Sequence, residues 1–151
     1  MLVRHTASVT SSFAMPAPPP ISIEAALAEY RAGACNIGAA EITRRRRTGH
    51  AALLLTIVLL AVLVVIGVPP IVRFVIAVPA AVAVACYMEA YLRFCIGFGW
   101  LGVFNFGARG STQRVASSAD RAADRGRSIR LSVALGVICI AAGTIAVLLP
   151  L

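Results

Sequence analysis

Glu89 is the one carboxylate inside a long apolar run of this chain, and Tyr87, Tyr91 and Arg93 lie within about one helical turn of it. A charged carboxylate at the centre of a bilayer costs about 2.5–3.5 kcal/mol, and less near an interface. Glu89 lies only five residues from the end of its run at Phe94, with Arg93 four residues on. Acid before cation at that spacing is the favourable order on a helix. In one reading Glu89, with Tyr87 and Tyr91, lines a shared cavity and relays protons or cations in a transport or channel component. In the other, Glu89 and Arg93 form an interfacial ion pair that anchors the helix. The position near the run's end favours the anchor.

Cys35, His50 and Cys95 form the second set. All three are expected at one membrane face, where two thiolates and an imidazole make a ligand set for zinc or another soft metal. Metal sites usually announce themselves by local pairs, and no two of the four cysteines have CxxC spacing. A metal or redox site at Cys35 and Cys95 is therefore the lesser reading, and no cofactor is expected. Cys86 and Cys139 fall inside apolar runs, where cysteine acts as a small hydrophobe. Cys35 and Cys95 face the reducing side in the topology below, which disfavours a disulfide. The chain carries no serine–histidine–aspartate order, dinucleotide fingerprint or zinc-protease motif. It reads as non-enzymatic.

These residues are positioned by three apolar runs: Ala51–Val68, Ile71–Phe94 and Ile129–Leu149. Each is near the ~20 residues that cross a hydrocarbon core of about 30 Å. Only Pro69 and Pro70 separate the first two, so these pair as an antiparallel hairpin. The fold class is all-α: an integral membrane helical hairpin, a third transmembrane helix and a short amphipathic N-terminal helix. Pro79 is expected to kink the second span. Ala77, Ala81 and Ala85 make a row of small residues suited to close helix packing, as do Gly136 and Gly143 in the third span.

Outside the spans, residues 1–20 read as a disordered Ser/Thr- and Pro-rich tail without a secretory signal's apolar core, and Met15 offers an alternative start. Ser22 caps an amphipathic helix expected over 23–32, with Ile23, Ala26, Leu27 and Tyr30 on one face. Residues 21–50 thus comprise this helix, a CNIG turn (Cys35–Gly38) and a basic juxtamembrane segment. Residues 95–107 (CIGFGWLGVFNFG) are too short to cross and read as an interfacial Gly/aromatic segment. Residues 108–128 read as a basic loop, partly helical and mobile, with Ser111 or Thr112 as a cap.

Net charge is +8, hydrophobic residues make up 60% of the 151, and all fourteen basic residues are arginine. Arginine without lysine, amid so much Ala, Val and Gly, points to a GC-rich bacterial gene. Arg44, Arg45, Arg46 and Arg47 precede the first span and Arg130 opens the third. Arginines so placed meet anionic lipid headgroups rather than nucleic acid, and they set the N-terminus cytoplasmic and the C-terminus outside a bacterial plasma membrane. The leading expectation is a multi-pass accessory or assembly subunit, or a homo-oligomer, that acts through helix–helix contact with itself or another membrane protein.

Overall fold

The computed structural model describes residues 22–108 and 111–148. The tail expected over 1–20, and Met15 within it, lie outside the described residues. Five helices follow in order: α1 (Ile23–Glu29), α2 (Ala39–Val65), α3 (Ala77–Leu92), α4 (Ile96–Leu101) and α5 (Ser118–Leu148). A 3-10 turn over Pro70–Ile76 precedes α3, and two short strands, β1 (Val103–Phe104) and β2 (Gln113–Arg114), pair antiparallel. The protein is helical, and three of its helical segments are long and apolar enough to cross a membrane: Ala39–Val65, Pro70–Leu92 and Ser118–Leu148.

Helix α2 begins twelve residues before its apolar run, so Arg44–Arg47 are helical and α2 measures about 40 Å. It ends at Val65, where Gly67 takes a left-handed turn (φ +67°) toward Pro69. The next segment does not start as α-helix. Pro70 opens a 3-10 turn of seven residues. Three residues per turn bring Arg73 and Ile76 onto one face, and both are buried. The change from 3-10 to α comes at Ile76, three residues before Pro79, where the kink was expected. Pro79 then falls in the first turn of α3, where its missing N–H leaves few ladder bonds unmade.

Helix α3 is the middle member, packed along α2 on one side and α5 on the other. Its face toward the interior carries Ala83, Cys86 and Ala90. The expected row Ala77–Ala81–Ala85 does not form that face: Ala77 is buried, whereas Ala81 and Ala85 are only half-buried. Gly49 of α2 lies against Cys86 and the Tyr87 ring, which brings the two backbones close. At the far end Leu63, Ile76 and Ala146 join all three segments in one apolar cluster. Gly143 sits against the Phe74 ring, while Gly136 faces open space.

Of the segment expected as a basic, partly helical loop, residues 118–128 are helical and continuous with the third span. Ser117 caps α5 by accepting from the Asp120 amide at 3.3 Å, and the helix runs unbroken for 31 residues, about 46 Å. Its first turns therefore stand outside the apolar stretch and form the wall of a small cap. Ala26, Phe104, Phe106 and Val115 make the cap's apolar core, with Tyr30 stacked on Phe104.

Candidate functional site

Glu89 is 4% exposed near the end of α3. The helix stops at Arg93, which adopts the left-handed conformation (φ 53°, ψ 31°). Its amide and that of Phe94 both return to the Glu89 carbonyl. The reversal brings the Ile96 amide to Glu89 Oε1 at 2.8 Å. It also turns Arg93 out to an exposed position, so the expected Glu89–Arg93 pair does not form. The cation at Glu89 comes instead from α2: Arg45 Nη1 lies 2.5 Å from Oε2. Arg45 also donates to Cys95 Sγ at 2.9 Å and lies 3.9 Å from Glu41. Buried Glu41 in turn accepts from Arg44 through the Nε and Nη2 edge of its guanidinium. Two of the four juxtamembrane arginines thus serve an internal network that ties α2 to α3, and Arg46 and Arg47 stay exposed.

The CNIG turn and the Gly/aromatic segment form one knot. Asn36 is fully buried. Its amide nitrogen Nδ2 donates to the Cys95 carbonyl at 3.1 Å, and its Oδ1 accepts from the Cys95 N–H at 2.6 Å. An asparagine side chain with donor and acceptor side by side can pair in this way with both the N–H and the carbonyl of one residue. The Asn36 backbone bonds on to Arg93 and Asn105, and Gly38 bonds to the Asn105 carbonyl at 2.8 Å. A Cβ on Gly38 would meet the Phe106 backbone at 2.8 Å, which requires glycine there. Asn105 Oδ1 accepts from Ser111 and from the Gly107 amide, so Ser111 braces this turn rather than capping a helix.

The third part of the cap is built on α5. Asp124 is fully buried, accepting from Tyr30 Oη at 2.8 Å and from the Gly33 amide at 2.6 Å. One turn on, buried Ser128 donates to the Ile96 carbonyl at 3.0 Å. Arg127 donates to the Gly33 and Ala34 carbonyls and lies over the Phe94 ring. Gly99 of α4 lets that short helix touch Ser128, Phe94 and the α5 backbone. Helix α1 ends at Glu29, short of the expected residue 32, because Tyr30 is extended to reach Asp124 and Phe104. Burial and the Asp124 bond push the Tyr30 hydroxyl's pKa up.

The other expected site residues separate. His50 Nδ1 and Tyr87 Oη are 2.6 Å apart, and Tyr91 is 87% exposed; among the described residues neither tyrosine is hydrogen-bonded to Glu89. Cys35 bonds weakly to the Ile37 carbonyl, and Cys95 lies under Arg45. Among the described residues no group of three His, Cys, Asp or Glu side chains could hold a metal. Burial raises the Cys35 thiol pKa and takes Cys95 to about 11 against the weaker pull of Arg45, so both favour the thiol form. Arg130 is exposed at the start of the apolar part of α5.

Open clefts border the cap among the described residues. One of about 380 Å³ runs along α2, with Thr43, Arg44, Arg47 and Asn105. Another of about 540 Å³ is lined by Glu29, Arg31, Cys35, Arg93 and Phe106. A third, about 400 Å³, lies between α4 and α5. Asn36, Glu41, Asn105, Asp124 and Ser128 hold the cap together, and none stood out by residue type. The available signal was two Gly-bracketed segments, CNIG and CIGFG, which proved to be partners. No protein-family model, curated protein or solved structure matches this chain.

Proposed function

We propose that this chain is a small multi-pass accessory or assembly protein that works through its membrane helices while a rigid polar cap holds their ends. One observation carries the reading: four buried polar side chains are committed to internal partners. Asn36, Glu89, Asp124 and Ser128 each bond to a backbone group in another element of the cap. Groups so engaged give support rather than turnover. Meanwhile, in the most apolar stretches of α2, of the segment Pro70–Leu92 and of α5, only 6%, 22% and 11% of residues are buried. Those surfaces are covered by lipid or by other helices, in the second copy or partner subunit that the reading requires.

The same proposal places the cap in the cytoplasm of a bacterial cell and Leu151 outside. Its support is the charge pattern, since every described arginine except Arg73 lies toward the cap end. Cross-linking in membranes followed by purification in mild detergent tests the assembly. A discrete complex is expected, and a lone monomer with no cross-linked species refutes it. A reporter fused after Leu151 tests orientation: it should be silent if it needs the cytosol, and activity there refutes the placement.

A further inference from the structure

The cleft between α4 and α5 has a composition unlike the rest of the cap. Its lining includes Arg121, Arg125, Trp100, Leu101 and Ile129, and among the described residues no carboxylate lines it. Arg121, Arg125 and Ile129 follow one another at i+4, so a single ridge of α5 runs cation, cation, apolar toward the span. Two like charges at that spacing repel unless an anion lies between them. The acids of the same helix point elsewhere. Asp124 is turned to Tyr30 and Gly33, and Asp120 lies on that side too, where its charge bears on Tyr30.

The guanidiniums are held ready. Arg121 Nη1 is fixed by the Val115 and Ala116 carbonyls, leaving its other amino group without an acceptor among the described residues. Arg125 sits 6.0 Å above the Trp100 ring and has no ion-pair partner among them. Below, Leu101 is 75% exposed and Trp100 44%, beside exposed Ile129, where the polar first turns of α5 give way to its apolar length. A tryptophan with a neighbouring cation at that depth fits the headgroup–acyl boundary.

We propose that this cleft seats one anionic phospholipid. Its phosphodiester lies between Arg121 and Arg125, its glycerol against Trp100, and an acyl chain runs down over Leu101 and Ile129. The proposal rests on the chain spanning a membrane and is independent of whether the chain assembles.

The full-length protein, purified in mild detergent, is titrated with phosphatidylglycerol, phosphatidylcholine, glycerol phosphate and inorganic phosphate, and bound lipid is counted by native mass spectrometry. One phosphatidylglycerol should bind in preference to phosphatidylcholine. Arg125→Gln should weaken it about fivefold and the Arg121→Gln/Arg125→Gln pair about twenty-five-fold. The control pair Arg46→Gln/Arg47→Gln, of equal charge change, should alter it less than about twofold. Equal losses in the two pairs would mean diffuse attraction and overturn the site. Inorganic phosphate or glycerol phosphate displacing the lipid at comparable concentration would assign a free anion instead and also overturn it. Arg125 makes no hydrogen bond to the protein among the described residues, so its single variant separates binding from folding even where the pair misfolds.

Discussion

Glu89→Gln removes one negative charge from the join between α2 and α3 while keeping the side chain's shape. Stranding one partner of a buried ion pair costs about 3–5 kcal/mol. Two features of this site reduce that figure. Gln retains an oxygen for the Ile96 amide, which Glu89 Oε1 accepts at 2.8 Å. Arg45 is 20% exposed along its side chain and keeps Glu41 at 3.9 Å. A loss of about 2 kcal/mol remains, lowering the midpoint of thermal unfolding in detergent by about 5 °C. Arg45→Gln should cost more, since it leaves a nearly fully buried carboxylate without its cation. The double variant should fall short of the sum of the singles by about 1–2 kcal/mol, because both remove one interaction. Arg93→Gln supplies the contrast. If Glu89 paired four residues along its own helix, this variant would cost as much as Arg45→Gln; with Arg93 turned outward it should change stability by less than about 0.5 kcal/mol. The reasoning fails if Glu89→Gln costs under about 0.5 kcal/mol, if the Glu89 and Arg45 effects add, or if Arg93→Gln proves the damaging one.

Three further expectations concern the cap and the packing. Asn36→Ala removes both side-chain bonds to the Cys95 backbone and strands its buried N–H and carbonyl, a loss of about 2–3 kcal/mol that should speed amide exchange at Cys95 and at neighbouring Asn105. Unchanged exchange would show the knot to be incidental. Gly99→Ala forces a methyl into Ser128 and the Phe94 ring and should cost about 1–3 kcal/mol, whereas Gly136→Ala meets nothing within the chain and should be neutral to stabilising by up to about 1 kcal/mol; thermal unfolding of the two side by side decides. Cys95, left as the sole cysteine by substituting the other three, should react with a soluble maleimide at pH 7.5 about a hundredfold more slowly than an ordinary thiol. Because its pKa is raised to about 11, the thiolate fraction and the rate should climb about tenfold per pH unit up to pH 10. A rate already level at pH 8 would contradict the burial.

Length, apolar runs and paired prolines were enough to reveal an all-α fold with three segments long and apolar enough to cross a membrane. Burying backbone polar groups in hydrocarbon leaves helices as the economical solution, and that constraint is local in sequence. Ser22 as the cap of α1 was legible for the same reason, since a cap bonds within its own turn. What escaped was the polar pairing between distant segments. The pairing of Glu89 with Arg45 rather than Arg93 depends on a left-handed residue at Arg93, which no arginine announces. Asp124 looked like one more charge in a basic loop until α5 proved continuous and brought it beneath Tyr30 and Gly33. Helix period and hydropathy act over a few residues, so the chain's own letters determined its spans. Which polar groups meet at the cap was decided only by packing, because a buried donor or acceptor must find its partner in space, wherever along the chain that partner lies.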